Sequence, residues 1–533
     1  MSIRALSPGF VLTLLGVCSR ALAGGNCERL TSLQLPDATI TIAQTVAAGA
    51  FVPPPAGPPP GAAATDFKEL PAFCRIAATL RPTGDSDIKV EVWMPVEGWN
   101  GRFQGRGNGG FAGSISYDAI GAAVQQGYAG ASTDTGHAAA ATDASWALGH
   151  PEKVADFGFR AVHEMTQFAK RVVQAFYGSA PRYSYFGSCS NGGRQALVEA
   201  QRFPADYDGI LAGAPANFWT HMNASAKAVA PALEHGGYIP PTKLPAIARA
   251  VNAACDARDG VADGILNDPR QCDFDPGVLL RKSGDSQTCL TAPQVAVLRQ
   301  LYAGPHDAQG RALYPGYMPG AEEGPNGWGT WITGPAPQQS LMFIFGRGFF
   351  ANIVYGRADW DFKDAGADQA VADGDARAAG ILNATDPNLA AFEARGGRLI
   401  LYHGWNDPAL APLNTIHYYD SVVTRLGKAA AVAFTRLYMV PGMQHCGGGP
   451  GATVFGQGGP SEREDPRHNM ELALHQWVEQ GVAPSAIIAT KYVDDDPRKG
   501  VKLTRPLCPY PQTAQWTGAG STDDAASFAC RAP

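Results

Sequence analysis

Two residues able to do acyl-transfer chemistry each stand beside a cysteine: Ser190 follows Cys189, and His445 precedes Cys446. A serine hydroxyl is a weak nucleophile, and an imidazole is the usual base that takes its proton. Ser190 follows the run Tyr183-Ser-Tyr-Phe-Gly-Ser-Cys189, apolar and aromatic until it stops at small residues, and Asn191, Gly192 and Gly193 come next. His445 closes a second strand-like run, which includes Val440 and enters the glycine-rich stretch Gly447-Gly-Gly449. A bond between Cys189 and Cys446 would hold their Cα atoms roughly 5.5–6 Å apart. The hydroxyl and the imidazole would then be within reach of each other, although far apart in the chain.

The base needs a carboxylate to orient it. Arg398-Leu-Ile-Leu-Tyr-His-Gly-Trp-Asn-Asp407 is a strand followed by a tight turn carrying Asp407, and His445 follows the next strand. Strand, serine and helix in succession form the nucleophile elbow of α/β-hydrolases, in which the order is Ser, then Asp or Glu, then His. The G-x-S-x-G pattern is met only in part, since Ser188 stands in the first glycine position and Gly192 in the second. His403 lies before the acid, inside its turn, and reads as structural. His137 precedes the serine and reads as a loop brace bonded to Asp134. Cys189 is the rival nucleophile, but a reactive thiol must be free, and glycine placement favours Ser190. For the oxyanion, the backbone N–H of Asn191 is the expected first donor and Gly110, in Gly105-Arg-Gly-Asn-Gly-Gly110, the second. That glycine run is no phosphate loop, because no lysine follows it and no long helix opens there.

These residues need a scaffold of alternating strands and helices. Strand candidates are 88–93, 128–131, 183–186, 209–212, 398–402 and 435–440, and helix candidates are 156–176, 194–202 and 470–480. The alternation predicts an α/β fold with a mainly parallel sheet. It breaks between about 217 and 385, where Trp328, Trp331, Phe343, Phe345, Phe349 and Phe350 are too many aromatics for a linker. That stretch reads as an inserted second domain. Within it, Cys255-Asp-Ala-Arg-Asp-Gly-Val-Ala-Asp-Gly-Ile-Leu-Asn-Asp268 gathers Asp256, Asp259 and Asp263, hard oxygen donors that suit Ca²⁺. The spacing is not that of an EF-hand, and a plain solvated acidic turn is the alternative.

The 533 residues, 45% hydrophobic and 17% charged, are enough for a large core and more than one domain. Residues 1–23 read as a cleaved export signal: Arg4, an apolar stretch from Phe10 to Val17, then Ala21-Leu-Ala23. Val17 before Cys18 argues against lipidation, and the apolar stretch is too short to span a bilayer. Loss of Arg4 and Arg20 would take the net charge from −6 to −8, which excludes a nucleic-acid or anionic-membrane footprint. An exported chain, secreted or periplasmic, is expected to form disulfides. Proximity suggests Cys27–Cys74, Cys255–Cys272 and Cys508–Cys530; with Cys189–Cys446 these leave Cys289 free.

Taken together, the chain resembles the tannase/feruloyl esterase family of α/β-hydrolases, which includes MHET hydrolase-like esterases acting on a terephthalate monoester. The resemblance covers nearly the whole mature chain. It rests on Leu70-Pro-Ala-Phe-Cys-Arg75, Glu91-Val-Trp-Met-Pro95, Trp99-Asn-Gly-Arg-Phe103, Gly107-Asn-Gly-Gly110, Cys189-Ser-Asn-Gly-Gly193, the acidic loop and Pro441-Gly-Met-Gln-His-Cys446. It implies an α/β-hydrolase fold (24–216 and 386–533) with a large inserted lid (217–385). It further implies Ser190, Asp407 and His445 as the triad, a Cys189–Cys446 link between the nucleophile and base loops, and a structural Ca²⁺ held by Asp256, Asp259 and Asp263 with the carbonyls of Val261 and Ile265. The expected activity is hydrolysis of small aromatic esters, of feruloyl type first, with MHET hydrolase-like or tannase activity as alternatives. Lid aromatics, Trp328 and Trp331 among them, are candidates for the substrate wall. A catalytically silent, calcium-stabilised binding module is the rival from another class. Ser188 at the elbow and the unpaired Cys289 depart from the family pattern.

Overall fold

The computed structural model describes residues 25–54, 67–281 and 286–532. Residues 1–23, expected to be an export signal, and residues 55–60 of the proline-rich segment lie outside the described residues. One nine-stranded sheet organises the molecule, in the order β1-β2-β3-β5-β4-β6-β7-β8-β9. Its strands are β1 (Ala38–Val46), β2 (Phe73–Leu80), β3 (Ile88–Pro95), β4 (Arg102–Arg106), β5 (Ala129–Thr133), β6 (Tyr183–Cys189), β7 (Gly209–Gly213), β8 (Arg398–Gly404) and β9 (Thr435–Val440). From β5 through β9 the neighbours pair in parallel. β1, β2 and β3 add an antiparallel flank.

Parallel strands covered on both faces read as short apolar runs, with alternate residues serving opposite cores. In β8, Leu399 and Leu401 join the core under the helix Ala161–Tyr177, whereas Ile400 and Tyr402 join the core under the helix Met470–Gln480. The helix Ala161–Tyr177 buries Val162, Met165, Phe168, Ala169, Val172, Val173 and Phe176, an i, i+3, i+4 stripe, and stops at Gly178 in the left-handed region.

Each strand candidate is a strand. The helix candidate 156–176 opens with a wider turn at Asp156–Arg160, and the candidate 194–202 starts earlier, at Asn191. β4 escapes sequence reading because Arg102-Phe-Gln-Gly-Arg106 is polar. Its polarity is neutralised inside the protein: Arg106 donates to Glu471 at 2.7 Å and Gln104 to the same carboxylate at 3.2 Å.

Between β7 and β8 the described chain adds no strand to the main sheet. Trp328, Phe343, Phe349, Phe350, Trp360 and Phe362 are buried there in a core of their own, joined by Phe111, Ala144 and Phe157 from the first half of the chain.

Candidate active site

Ser190 sits where β6 ends and the helix Asn191–Arg202 begins, with φ 66° and ψ −125°. A side chain in that region costs of order 1–3 kcal/mol and persists only where its surroundings impose it. They do: the Ser190 N–H donates to the Gly213 carbonyl at 3.0 Å, and its own carbonyl accepts from Arg194 N and Ala216 N. The glycines that follow are required by contact. A Cβ on Gly193 would lie 2.2 Å from the Gly213 oxygen, and one on Gly192 would lie 1.9 Å from the Ser188 hydroxyl. Ser188 is therefore accommodated by the missing side chain at Gly192.

The acid and base come from the ends of β8 and β9. His445 Nδ1 lies 2.7 Å from Asp407 Oδ2, and the Asp407 side chain has no solvent exposure. The other oxygen, Oδ1, accepts the backbone N–H groups of Ala409 at 2.8 Å and Leu410 at 3.0 Å. Burial alone would raise the Asp407 pKa. The charge of His445 and hydrogen bonds from His403 and His445 outweigh it and hold the carboxyl below the usual carboxylate range. The two turns are tied together, since Asn406 N donates to the Met443 carbonyl at 2.9 Å. Gly404 permits that approach; a Cβ there would meet the Met443 oxygen at 2.2 Å.

His403 is more than a filler of its turn. Its Nε2 lies 3.1 Å from Asp407 Oδ2, and its Nδ1 lies 2.7 Å from Thr415 Oγ1. It is buried behind the carboxylate, away from the cavity. His137 braces a loop, but with a different partner from the one expected. Its Nε2 lies 2.8 Å from the Phe111 carbonyl oxygen and its ring stacks on Trp146, whereas Asp134 accepts from the backbone N–H groups of Lys89 and Gly136.

Cys189 and Cys446 are bonded, with Cα atoms 5.9 Å apart. A bonded sulfur is no thiolate, so the rival nucleophile is removed in this state. Cys27–Cys74, Cys255–Cys272 and Cys508–Cys530 are bonded as well, and Cys289 is free.

Ser190, Asn191, Gly110 and His445 line one cavity. Its remaining wall is mostly apolar, formed by Trp219, Met222, Tyr317, Trp331, Met342 and Phe345 among others. Gly110 has φ 57°, and a Cβ there would lie 2.2 Å from the Ala141 oxygen. Trp331 faces the cavity and meets the His445 ring edge-on at 5.1 Å. Trp328 does not line it: this residue is fully buried against Tyr302 and Tyr317. Sequence reading missed Trp219, Met222, Tyr317 and Met342, which are scattered along the chain between β7 and β8 with no local pattern to mark them.

In the acidic loop, Asp259, Val261, Asp263 and Ile265 line a second, small cavity. Burial raises the pKa values of Asp259 and Asp263, a penalty a cation would relieve. Arg505 Nη2 already lies 2.7 Å from Asp263 Oδ2. Asp256 belongs to the same acidic cluster, and its Oδ1 accepts the Gly264 N–H at 2.9 Å. Buried carboxylates in a loop closed by Cys255–Cys272 are a donor set that fits a hard cation. Among the described residues, no helix is long and apolar enough to cross a membrane.

The chain matches known proteins over nearly its whole length. The profile of the family described as tannase and feruloyl esterase matches residues 74–531. An uncharacterized esterase of Xanthomonas campestris pv. campestris is 43% identical over 540 residues, covering 96% of this chain and 92% of that protein. A probable feruloyl esterase B-2 of Aspergillus flavus is 33% identical over 453 residues, covering 82% and 84%. The crystal structure of feruloyl esterase B from Aspergillus oryzae superimposes with a TM-score of 0.86 at 29% identity, covering 95% and 99%. Tannin acyl hydrolase from Aspergillus niger, at 24% identity and a TM-score of 0.73, shares the fold.

Proposed function

Because the chain belongs to the tannase and feruloyl esterase family and is a carboxylic ester hydrolase, we propose that it is a secreted serine esterase acting on esters of aromatic acids through Ser190, His445 and Asp407. The observation that carries this reading is the strained Ser190 in one apolar cavity with His445, whose far nitrogen is held by a buried, ionised Asp407. His445 takes the Ser190 proton as the hydroxyl attacks the ester carbonyl. In this reading the N–H groups of Asn191 and Gly110, both at the cavity, receive the oxyanion. Collapse of the tetrahedral intermediate transfers the proton from His445 to the departing alcohol, and a water repeats the sequence on the acyl-enzyme to release the acid. Asp407 stays ionised throughout and stabilises the imidazolium.

Residues 217–385 act in this reading as a lid domain on a hydrolase body formed by 24–216 and 386–533. Trp331 and Phe345, stacked at 6.0 Å and 11°, would lie along the aromatic ring of the acid. A hydroxycinnamate is the first choice, in keeping with the names of the relatives, and a gallate or terephthalate monoester the second. Ca²⁺ would be held by Asp256, Asp259 and Asp263 with the carbonyls of Val261 and Ile265, and would serve the fold of the loop rather than the reaction. Export to an oxidising compartment is supported by the four disulfides.

The test is hydrolysis of methyl ferulate, methyl gallate and a terephthalate monoester, compared by kcat/KM, with Ser190→Ala alongside. Methyl ferulate is expected to lead, and Ser190→Ala to be folded and inert. A folded Ser190→Ala enzyme with wild-type activity would overturn the triad. Preference for an aliphatic acyl ester over all three would overturn the aromatic assignment.

A further inference from the structure

Arg194 lies one turn after the nucleophile with no solvent exposure, and no carboxylate pairs with it among the described residues. A buried charge without a counterion is costly unless hydrogen bonds satisfy it. Here they do. Nη1 donates to the carbonyls of Gly158 at 2.7 Å and Leu382 at 3.3 Å, and Nη2 to that of Phe157 at 3.0 Å. The guanidinium also lies over the rings of Phe157 and Trp219, at 4.8 and 5.2 Å. Nε points back toward the site and donates to Asn191 Oδ1 at 2.8 Å.

That last bond has a geometric consequence. The two ends of an asparagine amide are nearly equal in size but opposite in hydrogen-bonding sense. Guanidinium is a donor only, so it fixes Oδ1 on its own side and turns Nδ2 the other way. Nδ2 then donates to the Asn108 carbonyl at 3.1 Å. Asn108 is further clamped by Gln195, its N–H reaching Oε1 at 3.1 Å and its Oδ1 accepting from Nε2 at 2.8 Å. With the Asn191 amide reversed, donor would face donor at Arg194 and acceptor would face acceptor at Asn108. Asn191 carries one of the two N–H groups assigned to the oxyanion, and Asn108 lies two residues before the other, Gly110.

We infer that Arg194 is a positioning residue for ester hydrolysis: by fixing the Asn191 side chain as a bridge to the Asn108 carbonyl, it sets the spacing of the two oxyanion donors. The inference rests on the serine esterase reading above. It also gives a reason for placing an unpaired cation here, since its bonds reach the segment before the helix Ala161–Tyr177, the end of the insert and the elbow at once.

Asn191→Ala removes the bridge and leaves the three carbonyl bonds of Arg194 in place; Arg194→Lys removes the fork. Each is measured for kcat, KM, melting temperature and inhibition by an arylboronic acid, whose serine adduct is a tetrahedral anion. The expected result is a kcat loss of about 10–100-fold, short of the roughly 10²–10³-fold for deleting a donor outright. KM should stay within about threefold, and boronate affinity should fall in step with kcat. A merely structural role would leave boronate affinity per folded molecule unchanged. Wild-type kcat and boronate affinity in folded Asn191→Ala would overturn the inference, and that variant decides alone if Arg194→Lys does not fold. Ser190→Ala separates the two levels: if it is inert while Asn191→Ala matches wild type, only the bridge falls; if it is active, the esterase reading falls with it.

Discussion

His445 Nδ1 and Asp407 Oδ2 are 2.7 Å apart, and the carboxylate is sealed from solvent on every side. An ionised group in such a place is tolerated because its acceptor sites are filled: by the two imidazoles on Oδ2, and by the Ala409 and Leu410 N–H groups on Oδ1. The pair therefore ties catalysis to stability through one group.

Asp407→Asn is expected to lower kcat by about 10⁴-fold at neutral pH, because the amide cannot hold the tautomer that accepts the serine proton. The same substitution should show a defined stability profile. The pKa of Asp407 is depressed in the folded state, so its contribution is fully present above the unfolded value of about 3.9 and is lost as pH falls through the lower folded value. Denaturant melts of wild type and Asp407→Asn should differ most near neutrality and converge below about pH 4. A stability gap that widens on acidification would show that Asp407 is not held ionised.

Reduction of Cys189–Cys446 should reach function before fold. The bond joins the loops that carry Ser190 and His445, whereas the parallel sheet beneath them has its own ladders and two apolar cores. Graded reductant, with thiol labelling to follow this bond, should lower esterase activity while far-UV dichroism is unchanged. The Cys189→Ser, Cys446→Ser double variant should keep measurable but reduced activity, which also excludes the thiol as nucleophile. Full activity after verified cleavage would show that the bond has no part in aligning the pair.

The two insert tryptophans should behave oppositely. Trp331 is half-buried at the cavity beside His445, and Trp331→Ala is expected to cost about 3–10-fold in kcat/KM for an aromatic ester with little change in melting temperature, as for a lost ring contact of about 0.5–1.5 kcal/mol. Trp328→Ala empties a packed site and should destabilise by about 3–5 kcal/mol while leaving KM of the folded fraction unchanged. Equal effects of the two on KM would place Trp328 at the substrate after all.

What the sequence made legible follows from how local each constraint is. Ser190, Asp407 and His445 could be singled out as candidates because each ends an apolar run at a turn, and strand ends are where such sites form. The four disulfides could be proposed from the neighbourhood of each cysteine and from the loops being joined. β4 could not, because Arg106 and Gln104 are balanced by Glu471, far along the chain. The same holds for His403, whose second bond to Asp407 depends on how the turn closes. His137 meets the Phe111 carbonyl instead of Asp134 for a related reason: Asp134 lies close in sequence, but its Oδ1 accepts two backbone N–H groups. The cavity wall was the least legible part, since residues from Trp219 to Phe345 meet there only after the chain between β7 and β8 folds.

Calcium should act on the insert and not on the chemistry. The cavity of Asp259 and Asp263 belongs to a loop closed by Cys255–Cys272, and neither residue lines the Ser190 cavity. A cation bound there at 100 times its dissociation constant would add about 2.7 kcal/mol to the folded state. EDTA treatment is therefore expected to lower the melting temperature, Ca²⁺ to restore it, and Asp259→Asn to abolish the difference. Below the new melting point, kcat of the stripped enzyme should stay within about twofold, because a structural ion contributes to folding and takes no part in the reacting geometry. A melting temperature indifferent to EDTA and Ca²⁺ would leave the acidic loop as a solvated turn neutralised by Arg505. A fall in kcat with no fall in stability would place the ion's influence at the active site instead.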